Sequence, residues 1–215
     1  MFRFLCALLL AALVSACGPR MVTSDVTRFH SLPATGQAAG QTFTILPRAN
    51  QVGSLEFQTY ADLVAGRLAA QGFRPMPPDA GTADYVVFVD YGVATGPVEV
   101  RSSPVYGSVG FGYGYGYWPH RFGFAGTMPF YHEPIVGYDT YSVTKYTRWV
   151  EIEMLRGPAY RDQKVEKVFE GRAVSEGAGR SLPAVMPYLV TALFNNFPGP
   201  SGRTVEVSLP VAEGG

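Results

Sequence analysis

Cysteine is scarce, charge is sparse and neither sign of charge predominates in this 215-residue chain. Its two cysteines are Cys6 and Cys17, so no thiol follows residue 17. That excludes intrachain disulfides, thiolate nucleophiles and cysteine metal sites from the rest of the chain. Charged residues make up 16% and hydrophobic residues 47%. Soluble domains typically carry roughly 25% charge, so a highly charged disordered protein is excluded. Seventeen basic and 17 acidic side chains cancel. The basic stripe that nucleic-acid binding requires is therefore missing. No apolar run reaches the roughly 20 residues of a membrane-spanning helix. What is present is enough length for one domain with flanking segments and a real core.

The first of those flanks has a leader's pattern. Arg3 precedes an apolar run from Phe4 to Val14, the size of a secretory signal core. The run ends in Leu13-Val14-Ser15-Ala16-Cys17, with small residues just before a cysteine. This segment resembles the lipobox of bacterial lipoproteins; the bland reading is an ordinary signal peptide with an incidental cysteine. The resemblance implies that residues 1–16 are removed. It also implies that Cys17 carries acyl chains such as palmitate, with no other cofactor, and that 17–24 form a lipidated tether. Each buried methylene contributes about 0.8 kcal/mol, and more than one chain gives durable anchoring without a spanning helix. In such lipoproteins an aspartate after the cysteine favours retention at the inner membrane. Gly18 stands there, which implies the periplasmic face of the outer membrane.

Residues 25–210 read as a single domain. Val26–His30 and Gln41–Leu46 are strand candidates around a Pro/Gly/Ala loop. Phe57, Tyr60, Val64 and Leu68 recur at helical spacing and predict a helix over 54–71, capped by Ser54 and ended by Gly72. Asp84–Tyr91 is apolar at both parities, as a central strand should be. Strand pattern returns over 138–155, where Val150, Ile152 and Met154 alternate with Trp149, Glu151 and Glu153. Gly157-Pro158 predicts a turn, Lys164–Val174 an antiparallel partner, and Thr204–Leu209 a last strand. A second helix is expected over 181–195, with Pro187 forcing a kink or a late start. Two helices burying stripes against one sheet make an α+β two-layer sandwich. The expected sheet is mainly antiparallel, with both helices on one face and a Gly/aromatic-rich insertion at 102–137.

Several segments taken together resemble a known family. They are the lipobox, Phe29-His30-Ser31-Leu32-Pro33, and a helix end at Ala70-Gln71-Gly72-Phe73. Ala83-Asp84-Tyr85-Val86-Val87 follows, then the Gly/aromatic stretch before paired strands, then Asn195-Asn196-Phe197-Pro198-Gly199 after a helix. Over roughly residues 22–200 the chain resembles the bacterial lipoproteins grouped as domain of unknown function 4136. The resemblance rests on diffuse patterns. It implies a cell-envelope lipoprotein and supplies no activity.

The insertion is the compositional anomaly. Its 36 residues hold 8 glycines and 10 aromatics, with only Arg121 and Glu133 as formal charges. In Gly110-Phe111-Gly112-Tyr113-Gly114-Tyr115-Gly116-Tyr117-Trp118 an extended chain would place rings on one side. Tyr113, Tyr115, Tyr117 and Trp118 are thus candidate binding residues for a glycan or protein, since ring faces stack on sugars and other apolar groups. The bland alternative is a self-packed loop covering a sheet edge. The glycine spacing is wrong for a nucleotide loop and no phosphate-binding lysine accompanies it.

His120, His132 and Glu133 lack a metalloprotease's second helical histidine, and Pro134 blocks that helix; no metal site is assigned. His30 reads as structural. No nucleophile elbow is present. Glu151 and Glu153 could form a carboxylate pair, yet alternate acids on a wet face usually serve solvation. Gly177-Ala178-Gly179-Arg180-Ser181 could cradle an anion or simply form a turn and helix cap. No catalytic residue is assigned. The reading is a lipid-anchored, non-enzymatic binding or structural accessory protein whose partner is an envelope protein or a glycan. The alternative is an uncharacterised envelope hydrolase.

Overall fold

A computed structural model describes residues 20–32, 39–106 and 135–211. The described residues up to Gly96 and from Lys145 onward form one compact unit, and those from Pro97 to Thr144 form another. The strands are β1 Met21–His30, β2 Thr42–Ile45, β3 Arg74–Pro75, β4 Tyr85–Tyr106, β5 Ile135–Arg156, β6 Lys167–Gly177 and β7 Arg203–Pro210. The helices are α1 Leu55–Ala70, α2 Gly157–Arg161 and α3 Met186–Leu193. The strands make one open sheet in the order β3-β2-β4-β5-β6-β1-β7.

The sheet is mixed, which corrects the expectation of a mainly antiparallel one. β2 runs parallel to both β3 and β4. The cause is α1: a helix that follows β2 returns the chain to the end where β2 began, so the next strands run alongside it. Asp84 fastens the start of this parallel pairing. Its Oδ2 accepts from Thr42 N at 2.7 Å and Thr42 Oγ1 at 2.8 Å. These bonds hold the Asp84 carboxyl below its ordinary value. The other side of the sheet is antiparallel, with β6 against β5 and β1, and β1 against β7.

The α1 sequence behaves as its spacing predicts. Ser54 Oγ accepts from Phe57 N–H at 3.2 Å, and Phe57, Tyr60, Val64 and Leu68 are buried. Gly72 follows with φ +94°, a conformation that side chains resist. The second helix starts later than residue 181. Residues 182–185 make a turn in which Val185 and Met186 donate to the Leu182 carbonyl, and α3 begins at Met186. Pro187 thereby falls in the first turn, where its missing N–H is harmless. Gly157-Pro158 opens the short α2 instead of a simple turn. Gly157 is required there, since a Cβ would lie 1.8 Å from the Ala83 carbonyl oxygen.

Both long helices cover the same sheet face. Phe57, Val64 and Leu68 from α1 and Met186, Leu189 and Leu193 from α3 share one core with Val26, Phe43, Val87, Ile152 and Phe169. Val87 and Leu189 are fully buried. A smaller apolar patch of Val86, Phe88 and Leu155 lies apart from it. The strands extend into the expected insertion, β4 to Tyr106 and β5 from Ile135. In the unit from Pro97 to Thr144, Val98, Val100, Tyr138 and Tyr141 are exposed and Arg101 pairs with Glu99 at 3.3 Å.

Candidate functional site

The residues singled out for lipid and ligand binding, Cys17, Tyr113, Tyr115, Tyr117 and Trp118, lie outside the described residues. So do His120, His132 and Glu133. Among the described residues no three histidines, cysteines or carboxylates gather as metal ligands. His30 has a structural setting: its Nε2 meets the Gly199 carbonyl at 2.9 Å and its ring stacks on Phe169.

Two buried arginines organise the helix-covered face, and the sequence reading missed both. Arg28 projects from β1 and is 3% exposed. Its guanidinium donates to the carbonyls of Leu193, Ala192 and Asn195 at 3.0, 2.9 and 3.0 Å. These carbonyls lie at and just past the α3 C-terminus, where a cation is favoured by the helix dipole. Arg148, on β5, donates to the Gly179 carbonyl at 3.0 Å and to Ser175 O and Oγ at 3.4 Å. Burial pushes both guanidinium groups below their ordinary value. Glycine makes room for each: a Cβ on Gly199 would lie 2.3 Å from Arg28, and one on Gly177 2.8 Å from Arg148. The signal was parity. Arg28 falls two residues after Val26, and Arg148 two before Val150, so both sit on the apolar side.

Arg148 also decides the fate of the glycine loop before α3. It binds the loop through a carbonyl oxygen, the opposite polarity from an N–H cradle for an anion. Ser181 does not cap the helix, which begins five residues later. The loop instead walls an open cleft of about 560 Å³, with Arg180, Ser181 and Leu182 facing Glu56, Tyr91 and Val93. Tyr60 donates to Glu56 at 3.0 Å and meets Tyr91 edge-on at 4.7 Å. Burial, then the Glu56 carboxylate, raises the Tyr60 hydroxyl's pKa, and burial does the same for Tyr91. Neither phenol is therefore a ready proton acceptor.

The opposite face carries the acids. Glu153 accepts from Arg48 at 2.5 Å and from Lys167 at 2.6 Å, and Arg48 also binds Asp90 at 3.0 Å. Lys167 bonds Glu170 as well, which relieves the direct opposition of Glu153 and Glu170 across β5 and β6. Burial opposes charge on Glu153, but Lys167 and Arg48 outweigh it and hold the carboxyl low. Hydrogen bonds to Glu153 and Glu170 push Lys167 up to about 12. Glu151 pairs with Arg172 at 3.6 Å, and Arg172 covers the Trp149 ring. Glu151 and Glu153 are thus committed to different cations and do not act as a pair. Glu153 is also only 15% exposed, not a solvated residue on a wet face. A second cleft of about 390 Å³ opens beside this network, lined by Arg48, Lys167, Phe88 and Tyr160 among others.

Comparison with known proteins adds a family and no activity. A family model described as Domain of unknown function (DUF4136) matches residues 26–199. No curated protein matches the chain. Among solved structures, a PDZ domain protein from Parabacteroides distasonis is similar at 11% identity and TM-score 0.45. The match covers 92% of this chain but 41% of that protein's chain. A PelC dodecamer from Paraburkholderia phytofirmans is similar at 13% identity and TM-score 0.38, over 80% of this chain and 95% of that one.

Proposed function

We propose a function on the premise that this chain belongs to the DUF4136 family, whose model covers residues 26–199: it is an envelope lipoprotein whose domain binds a partner and catalyses no reaction. The observation that carries this reading is Leu13-Val14-Ser15-Ala16-Cys17 behind an apolar run. Acylation of Cys17 supplies the membrane attachment, and Gly18 favours the periplasmic face of the outer membrane. The binding half of the reading draws on charge. Among the described residues Asp90, Glu151, Glu153 and Glu170 are tied to Arg48, Lys167 and Arg172, which suits these acids to fixing a surface better than to proton transfer. The partner is another envelope protein or a glycan such as peptidoglycan, with Tyr113, Tyr115, Tyr117 and Trp118 as stacking groups.

Fractionation tests the anchor. Cys17→Ala should move the protein from the salt-washed outer-membrane fraction to the soluble one, because acyl burial dominates the attachment. Retention of that variant in the washed membranes would refute the lipoprotein reading. Replacing the four aromatics together by alanine should abolish retention on peptidoglycan or crosslinking to envelope proteins while the fold persists. Turnover of an envelope substrate, lost on one single-site change, would make the protein a hydrolase instead.

A further inference from the structure

We infer that the outer edge of β7 is a docking edge for an extended, basic segment of a partner protein, which would join the sheet beside Glu206. The two ends of the sheet differ in kind. At one end β3 is two residues long and contains Pro75, a short edge that offers little to pair with. At the other, β7 pairs with β1 in unbroken register from Met21 with Pro210 to Arg28 with Arg203.

The backbone pattern identifies which groups face outward. Val211 N–H donates to the Arg20 carbonyl at 2.7 Å, in the same register as the strand pairs. Antiparallel bonding alternates, so odd-numbered residues of β7 turn toward β1 while Thr204, Glu206 and Ser208 turn their N–H and C=O groups away. Side chains agree. Thr27 with Thr204, and Thr23 with Ser208, bring their hydroxyl oxygens to 2.8 Å, as expected of the closer, non-hydrogen-bonded pairs. Among the described residues β7 has no neighbour on this side. A guest of about six residues would engage the three outward positions.

Charge selects the guest. Glu206 stands directly opposite Asp25, both are exposed, and neither has a cationic partner among the described residues. Like charges so placed repel each other, and a lysine or arginine opposite Glu206 would relieve both. The same pair of acids discourages indiscriminate pairing with neutral or acidic strands. A second copy of this chain is a poor guest. Only even-numbered residues of β7 bond outward, so antiparallel self-pairing sets Glu206 against Thr204, Glu206 or Ser208, none of them basic. Charge complementarity thus favours a basic segment of a different polypeptide as the guest.

This inference deepens the binding reading and rests on it, but not on the lipid. The probes are two labelled peptides of alternating threonine and valine, one with a central lysine on the threonine side and one with glutamate there. Added to the full chain in detergent, the lysine peptide should bind about tenfold more tightly than its twin. It should also slow hydrogen exchange at the amides of Thr204, Glu206 and Ser208. Glu206→Lys should reverse the preference. Ser208→Pro should abolish capture while leaving the inward bonds of Val207 and Leu209 in place; if that variant misfolds, the charge reversal decides. Equal binding of the two peptides, or protection elsewhere, overturns the edge. Self-association that Glu206→Lys strengthens or weakens, without peptide capture, overturns the assignment to a different polypeptide. Envelope crosslinks at another surface with no protection of β7 would leave the binding reading standing and sink only this inference.

Discussion

Strands β4, β5 and β6 build two faces from alternate residues of the same segments, and the two faces accommodate charge in opposite ways. On the helix-covered face Val87, Val89, Val150, Ile152 and Met154 are fully buried. Among the described residues the buried charges on this face are Arg28 and Arg148, satisfied by backbone carbonyls and the Ser175 hydroxyl with no carboxylate bonded to either. On the other face Asp90, Glu151, Glu153 and Glu170 meet Arg48, Lys167 and Arg172 in shared ion pairs. Apolar side chains there gather at Val86, Phe88 and Leu155, with Tyr160 of α2 against Phe88. In the covered layer a lost partner cannot be replaced by water, whereas beside the partly exposed Arg48, Lys167 and Arg172 it can. The two faces should therefore answer mutation very differently.

The largest effect belongs to packing. Leu189→Ala empties a fully buried site under α3 and should cost about 3 kcal/mol, read as a lower denaturant midpoint at unchanged slope. An unchanged midpoint would mean that α3 does not seal this face. Arg28→Met comes next. It removes the guanidinium donors from the carbonyls of Ala192, Leu193 and Asn195 and should cost about 2 kcal/mol, with faster amide exchange confined to the end of α3.

Glu153→Gln probes the other face and should cost only about 1 kcal/mol at neutral pH. Its pH signature sharpens the comparison. Because the folded carboxyl titrates below its ordinary 4.5, the Glu153 contribution is complete above that value and fades as the pH falls through the folded pKa. The gap between parent and variant should thus close in acid, while the Leu189→Ala gap persists. Lys167 gives the alkaline counterpart. Raised from 10.5 to about 12, it stabilises fully below the lower value and ceases to do so as pH rises through the upper. A Lys167→Met gap that did not narrow there would show that its ion pairs contribute little.

Much of this comparison is legible in the sequence. The alternation of Val150, Ile152 and Met154 with Glu151 and Glu153 identified both faces of β5, and Ser54 and Gly72 bracketed α1. These are local signals, written in spacing and in capping chemistry. The parallel placement of β2 between β3 and β4 was not legible, since strand neighbours are chosen by contacts far apart in sequence. Nor were the roles of Arg28 and Arg148. Their parity put them inside, but only the spatial approach of Ala192–Asn195 and Gly179 shows what satisfies them. Glu153 was read as solvated because Arg48, Lys167 and Glu153 come from three separate segments that the fold brings together.

The position of β1 in the sheet has a consequence for time. Among the described strands the first, β1, lies between β6 and β7, the last two. Its partners arrive late: Thr27 bonds a residue 177 positions away and Thr23 one 185 positions away. The entropy of closing such loops must be met before their contacts stabilise anything. During synthesis β1 therefore emerges before both of its partners, and the sheet cannot be completed until β7 has left the ribosome.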